Sequence, residues 1–349
     1  MSFLKHAIFL VLLIASSTFA MAQDANDMPL IIKGKVYKEG TDTALVNASV
    51  YYGGTMSGTS TGKDGSFELR AKAQQIPFIV SCVGYYSATV KYKPGTPLVV
   101  YLKPKVEELN TVTIKIGNKR KSGMSRNDEV QMFIDEFIGG SDFAANCTIL
   151  NINDVQLFYD RKTETLTASS YEPIIVENRS LGYRISYFLD KFEKGPKQLA
   201  FSGNYIFRPY LEYTPDSVKE NRERAYLGSR MQFIRNVWRR TLDKVGYRVF
   251  TNDYAQLSEN NISTSDSTDQ KYMLLIRGMH IVNSKLKFLI NTLTVSENLV
   301  FIDKDGYYGP GLRWAGGMGL QRIGDLLPYE YVSADEQKQL AQPDPVDKK

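Results

Sequence analysis

Histidine and cysteine are scarce in this sequence. The chain has 349 residues but only two histidines, His6 and His280, and two cysteines, Cys82 and Cys147. Zinc sites need three or four ligands, and closely spaced Cys or His residues are their usual sequence sign. The sequence therefore predicts no metal site, and it gives no indication of another cofactor. His280 is expected to have a structural role.

Motifs of common enzymes are also few. A serine triad is not supported, because one histidine at most is available outside the N-terminal segment. The glycine-rich run Gly316–Gly319 is not followed by the Gly-Lys-Ser/Thr of a phosphate-binding loop. We therefore predict a non-enzymatic interaction or scaffold protein. Two alternatives stay open, namely a hydrolase whose site is not recognisable in the sequence, and a glycan-binding module that uses the abundant tyrosines.

Long apolar runs are absent beyond the first residues. Lys5 precedes an apolar stretch at 7–15, and Ala20-Met21-Ala22 precedes Gln23. A basic start, a short apolar core and a small-residue cleavage site are typical of a secretory signal peptide, which we assign to residues 1–22. The mature chain is then expected to be periplasmic or associated with the outer membrane, without a transmembrane segment.

The net charge is small. It is +5 for the full sequence, and loss of residues 1–22 removes only Lys5, which leaves +4. Such a low charge does not favour binding to nucleic acid. The expected partner is an envelope protein or an anionic surface.

The region after the signal peptide reads as short strands separated by turn residues. Phe67, Leu69 and Ala71 alternate with polar residues, which is typical of a strand with one buried face. Phe78–Val83 is apolar on both faces, as in a central strand. The expected strands are 30–37, 45–52, 56–61, 65–71, 76–83, 86–92 and 97–103.

Several residues of this region match a known pattern. The sequence resembles the carboxypeptidase regulatory-like domain, a transthyretin-like β-sandwich of Gram-negative envelope proteins. The pattern Gly-Thr-x-Thr-Asp-x-x-Gly-x-Phe is met at Gly58, Thr59, Thr61, Gly65 and Phe67, while Gly62 replaces the Asp. Upstream matches are Gly34, Val36, Leu45, Ala48 and Val50. The resemblance implies a β-sandwich over 29–104 without catalytic residues.

The remaining chain is expected to hold a second domain. A linker is predicted at 105–126 and an α+β domain of unknown function, with a mainly antiparallel sheet, at 127–332. Two segments, 226–233 and 325–331, resemble parts of uncharacterised envelope proteins that carry the same sandwich. The charged end, 333–349, is predicted to be disordered. The sequence leaves open whether Cys82 and Cys147 form a disulfide bond.

Two surfaces are candidates for partner binding. Leu109, Val112 and Ile114 resemble a short element that lends a strand to the energising partner in TonB-dependent receptors with this N-terminal domain. Strand addition of this kind is one hypothesis, and an edge strand within the protein is the other. Arg235, Arg239 and Arg240 lie on one predicted helix and could form a basic surface for anions.

The first testable prediction concerns the N-terminus. If residues 1–22 are a signal peptide, the protein recovered from the envelope fraction should begin at Gln23, because signal peptidase cleaves after the small residue of such a site. Intact-mass measurement checks this. An uncleaved chain that starts at Met1, or a cytoplasmic pool, would contradict it.

Overall fold

The fold is described from a computed structural model of the chain. The structure describes residues 30–71, 75–92, 95–105, 122–267, 270–286 and 290–340. Strands dominate, and most of their pairings are antiparallel. Within these ranges no helix is both long enough and apolar enough to cross a membrane. The predicted signal peptide lies outside the described residues.

The N-terminal β domain consists of short strands in two sheets. They are Leu30–Lys38 (β1), Ser49–Tyr52 (β2), Gly58–Ser60 (β3), Ser66–Ala71 (β4), Phe78–Ser81 (β5), Ala88–Val90 (β6) and Leu98–Leu102 (β7). The sheets have the orders β4-β1-β7 and β3-β2-β5-β6. The β1–β7 pair is parallel. Each strand falls within one residue of a predicted strand, so this part of the sequence prediction is confirmed.

Side-chain burial follows the sequence pattern in this domain. Phe67, Leu69 and Ala71 are buried in β4, while Glu68 and Arg70 are exposed. In β5 all four residues are buried. One face of β5 contributes to the core of the domain, and Ile79 on the other face packs with Ile206 from the C-terminal region. The two-sided apolar character of β5 therefore reflects contact with the rest of the chain.

The C-terminal region begins with a helix that packs on a sheet. Helix α1, Arg126–Phe137, is capped by the side chain of Ser125, which accepts from the Asp128 N–H. Phe133 and Phe137 are fully buried in the core that this sheet forms. The strands are Cys147–Ile149 (β8), Val155–Asp160 (β9), Thr165–Ser170 (β10), Ile174–Asn178 (β11), Tyr183–Lys194 (β12) and Leu199–Pro209 (β13). Their order is β8-β11-β12-β10-β9, and β13 also pairs with β12.

Two helices lead to a further antiparallel sheet. Helix α2 spans Asp216–Tyr226 and helix α3 spans Arg230–Arg239. The strands of the sheet are Tyr247–Thr251 (β14), Ser263–Ser265 (β15), Lys271–Asn283 (β16), Ile290–Ile302 (β17) and Leu312–Ala315 (β18). Their order is β14-β16-β17-β18, with β15 on β16. Phe233, Ile234 and Val237 of α3 form the core with this sheet.

Three further features complete this region. Helix α3 ends at Arg239, because Arg240 adopts a left-handed conformation with φ 56°. The polar segment 253–270 contains a short helix, Glu259–Ile262 (α4), and strand β15. The glycine-rich segment 306–319 contains β18 and the start of a one-turn helix, Gly317–Leu320 (α5).

The predicted disorder from residue 333 is wrong for the part that the structure describes. Ala334–Leu340 forms helix α6. Glu336 on this helix is 6% exposed and forms an ion pair with Arg235 of α3, which is 2% exposed, at 2.9 Å between Oε2 and Nη1. Arg239 also pairs with Glu336. Residues 341–349 lie outside the described residues.

The buried ion pair between Arg235 and Glu336 has further hydrogen-bond partners. Arg235 also donates to the backbone carbonyls of Asp305, at 3.0 Å, and Tyr329, at 3.1 Å. Glu336 accepts from the Tyr226 hydroxyl at 2.8 Å. A buried charge is tolerated when it is paired and its hydrogen-bonding groups are satisfied. The pair therefore ties α3 to the C-terminal segment.

The same C-terminal segment contacts the N-terminal β domain. The Tyr329 N–H donates to the Gly54 carbonyl at 3.0 Å, and the Gly54 N–H donates to the Tyr205 carbonyl at 2.7 Å. Gly54 has φ +75°, and a Cβ there would lie 2.6 Å from the Tyr329 ring, so no larger residue fits without rearrangement. Glu330 Oε1 accepts from the N–H of Met56 at 2.8 Å. We call this set of contacts the seam.

The second testable prediction concerns Glu336→Gln. Removal of the charge leaves Arg235 buried without a counter-ion, which should lower the free energy of unfolding by about 3–5 kcal/mol. Urea denaturation measures this loss. The matched control is Asp335→Asn on the same helix, whose carboxylate is exposed and pairs only loosely with Lys338 at 3.8 Å. It should change stability by less than about 0.5 kcal/mol. Equal losses for the two variants would contradict the prediction.

The same pair predicts a pH dependence of stability. Burial alone would raise the pKa of Glu336, but Arg235, Tyr226 and Arg239 together lower that pKa below its ordinary value. A carboxylate with a lowered folded-state pKa stabilises the protein above its unfolded pKa, and this stability is lost as the pH falls. Below about pH 4.3 the wild type should therefore lose more free energy of unfolding than Glu336→Gln does.

Candidate ligand-binding cleft

The structure places the predicted site residues in different settings. Leu109, Val112 and Ile114 lie outside the described residues. Arg235 and Arg239 are engaged with Glu336, so the expected basic partner surface differs from the structure at these two positions. Arg240 is exposed, and its Nη1 donates to Asn260 at 3.0 Å. Helical spacing cannot reveal that a distant carboxylate forms ion pairs with two of these arginines.

The cysteines and His280 do not form a reactive group. Cys82 and Cys147 are free thiols, and burial raises the pKa of both, that of Cys147 to about 12. His280 stacks on Tyr254 with ring centroids 5.5 Å apart. In the part of the chain that the structure describes, no group of three or more His, Cys, Asp or Glu residues could hold a metal ion.

The spacing Gly-x-Ser-x-Gly does occur once, at Gly58–Gly62. In α/β-hydrolases this motif forms a sharp turn from a strand into a helix. Here Ser60 ends strand β3 and pairs with Ser49 of β2, so the motif lies on a small β-sheet. The match therefore does not indicate a nucleophile.

A cleft of about 620 Å³ lies in the C-terminal region. Residues from β12, β13, α3, β18 and the segment after α5 contribute to its walls. Its aromatic lining residues are Tyr187, Phe201, Tyr205, Tyr308, Trp314 and Tyr329. Arg230 and Arg322 also line it. The combination of aromatic rings with two cations makes it the candidate functional site.

Local sequence features position Arg230 at the start of α3. Gly228, with φ +75°, allows the chain to turn between α2 and α3. Ser229 caps α3, and its Oγ accepts from the Gln232 N–H at 3.0 Å. The N–H of Arg230, which has no partner within the helix, donates to Gln321 Oε1 at 3.0 Å. The helix terminus is thereby attached to the segment that carries Arg322.

Both guanidinium groups converge on one neutral oxygen. Arg230 Nη2 donates to the Gln321 carbonyl at 2.9 Å, and Arg322 Nη1 donates to the same oxygen at 3.1 Å. Arg322 Nη1 also reaches the Gly319 carbonyl at 2.7 Å. In the described residues, neither guanidinium forms an ion pair with a carboxylate. We call Arg230 and Arg322 the arginine pair.

The electrostatics of the arginine pair favour an anion. Burial lowers the pKa of Arg322, and the neighbouring charge of Arg230 lowers it further, while Glu136 and Asp325 act in the opposite direction. Arginine nevertheless stays protonated in proteins. Two adjacent cations without a directly bonded counter-ion repel each other, and an oxyanion between them would relieve that repulsion.

The aromatic side of the cleft carries three polar groups. The Tyr308 hydroxyl accepts from Arg230 Nη1 at 3.4 Å. The indole Nε1 of Trp314 is buried without an acceptor in the described part of the chain. Burial raises the pKa of Tyr205 to about 12, so its hydroxyl remains protonated, and it is hydrogen-bonded to Tyr329. Of these groups, the Tyr308 hydroxyl is the one that suits a ligand oxygen.

The polar groups of the cleft that could act in catalysis are used to cap backbone N–H groups. Ser229 caps α3, and Asp325 Oδ2 accepts from the Arg322 N–H at 2.9 Å. The described lining residues include no His, Cys, Lys or Glu. The cleft can therefore bind and orient a ligand but contains no paired nucleophile and base.

Sequence reasoning missed the cleft but singled out two of its parts. In the sequence, the segments 226–233 and 325–331 are two separate resemblances to other envelope proteins. In the structure the first supplies Ser229, Arg230 and Met231, and the second supplies Asp325, Leu326, Leu327 and Tyr329. The two segments are far apart in the sequence and contain polar residues. The sequence therefore does not predict that they meet in the structure.

Comparison with known proteins bears on the N-terminal part. Residues 32–114 match the family model described as a CarboxypepD_reg-like domain. The chain is also 32% identical over 118 residues to the TonB-dependent receptor SusC of Bacteroides thetaiotaomicron. That match covers 34% of this chain and 11% of the receptor, so the chain spans only a small part of the length of this relative. Residues 32–114 of this chain are therefore a CarboxypepD_reg-like domain.

Proposed function

We propose that this protein is a non-enzymatic binding and scaffold protein of the bacterial envelope. The CarboxypepD_reg-like domain and the similarity to a segment of an outer-membrane receptor suggest envelope association. In this proposal the N-terminal domain is a transthyretin-like sandwich, and the protein is exported to the periplasm or to the outer membrane. The C-terminal region carries the ligand site.

One observation carries the proposal of ligand binding. The arginine pair shares the Gln321 carbonyl and makes no ion pair with a carboxylate of the described residues. The Glu136 and Asp325 carboxylates act on Arg322 through space, without an ion pair, so the two adjacent cations still repel each other. The arrangement is favourable when an anionic ligand bonds to them directly.

The seam supports a scaffold role. Tyr329 lines the cleft and also donates its N–H to Gly54 of the CarboxypepD_reg-like domain. A ligand in the cleft would therefore touch the same residue, Tyr329, that contacts the N-terminal domain. The hydrolase alternative has less support, because Ser229 and Asp325 serve as caps.

The third testable prediction concerns anion binding. A ligand that binds only the folded state raises the melting temperature, and at about ten times its Kd the gain is roughly 1.4 kcal/mol. Inorganic phosphate should therefore raise the Tm of the mature protein by about 2–5 °C relative to sodium chloride at equal ionic strength. Arg322→Gln should abolish this gain, because it removes one of the two cations.

The matched control for this measurement is Arg313→Gln. Arg313 is exposed on β18 and alternates with Trp314, so it lies on the opposite face of that strand. This variant should keep the full phosphate response. An equal response of both variants, or none in the wild type, would refute anion binding in the cleft.

A further inference from the structure

We infer that the ligand of the cleft is an acidic sugar, that is, a saturated ring bearing a carboxylate or phosphate group. This inference rests on the proposed anion binding and adds the chemical class of the ligand. The oxyanion lies on the arginine pair, and the ring lies against Tyr308 and Trp314. Separate groups of the cleft contact the two halves of the ligand.

Unused hydrogen-bond donors of Arg322 are available to the oxyanion half of the ligand. Arg322 donates only through Nη1, so its Nε and Nη2 have no acceptor in the described part of the chain. Arg230 uses Nε and both terminal nitrogens on Gln321 and Tyr308. A guanidinium edge with two free nitrogens matches the two oxygens of a carboxylate or phosphate. Arg322 is therefore the main anchor of the oxyanion.

The aromatic rings of Tyr308 and Trp314 face the ring half of the ligand. The Tyr308 and Trp314 rings have centroids 5.8 Å apart and are inclined by 59°. Two inclined planes form a corner, which fits a thick saturated ring better than a flat base that would stack on only one of them. Phe233 packs edge-on against Trp314 at 5.9 Å, which fixes the position of the corner.

The Tyr308 hydroxyl argues for oxygen atoms on the ring. Its oxygen accepts from Arg230 Nη1 at 3.4 Å, and its own O–H has no acceptor in the described part of the chain. A sugar hydroxyl can accept from this O–H while the C–H face of the sugar covers the aromatic rings. An apolar acid offers no such acceptor beside the ring.

The two halves are adjacent and the cleft has a suitable size. The Tyr308 hydroxyl contacts Arg230 at 3.4 Å, so the aromatic corner begins where the arginine pair ends. A volume of about 620 Å³ lies within the range of about 300–1,000 Å³ for small-ligand sites. One or two sugar units fit.

The test is isothermal titration of the full-length mature protein with separate probes. Galacturonic acid and galactose 6-phosphate carry the ring and the oxyanion, galactose carries the ring alone, and inorganic phosphate carries the oxyanion alone. At least one acidic sugar should bind about tenfold or more tightly than both galactose and phosphate. The acidic sugar that binds more tightly shows whether the natural acidic group is a carboxylate or a phosphate.

Variants assign the effect to the two halves. Arg322→Gln should weaken binding of the acidic sugar by at least about tenfold, because a charge-assisted hydrogen bond is lost. Tyr308→Phe keeps an aromatic ring but removes the hydroxyl, and it should weaken sugar binding more than phosphate binding. Arg313→Gln should bind as the wild type does. Circular dichroism verifies that each variant is folded.

Three outcomes would overturn the inference in distinguishable ways. If phosphate binds as tightly as the acidic sugars, the cleft is a simple anion site, and the proposed function stands without the sugar. Tighter binding of adenosine monophosphate than of every acidic sugar would assign a nucleotide instead. If no probe binds, both the inference and the proposed anion binding are wrong.

Discussion

The ion pair between Arg235 and Glu336 constrains the C-terminal region more than any other polar contact described above. Two charges leave water to form it, and the cost is offset only because almost every hydrogen-bonding group is satisfied. The partners come from the Asp305 and Tyr329 carbonyls and from the Tyr226 hydroxyl. The pair therefore holds helix α3, the loop after β17 and the C-terminal segment in one arrangement.

That arrangement determines the shape of the cleft. The segment between α5 and α6 runs past the start of α3, where it supplies Gln321, Arg322 and Asp325. Farther along, Tyr329 forms part of the cleft wall and part of the seam with Gly54. Displacement of α6 would thus alter the ligand site and the contact with the CarboxypepD_reg-like domain together. The proposed binding and scaffold roles share this one segment.

The sequence predicts best where structure depends on neighbouring residues. Phe67 and Leu69 alternate with charged residues, and a period of two is enough to identify a strand and its buried face. Arg235 shows the opposite case, because its partner Glu336 is 101 residues away in a polar stretch that resembles a disordered tail. The sequence gives no indication that Arg322 lines a cleft. Charged residues in a sequence indicate an exposed surface by default, and only the tertiary structure shows which of them are buried or converge.

The seam has a consequence for how the chain folds. Met56 and Glu330 are 274 residues apart in the sequence, yet they are hydrogen-bonded. Contacts of such long range form late, because closing a large loop costs entropy before the contact is gained. The N-terminal β domain can fold first from local strand pairings, while the surface around Ile79 stays uncovered until Ile206 packs on it. Until Ile206 packs there, this apolar surface can associate with other chains, and at this stage of folding a chaperone would protect the chain most.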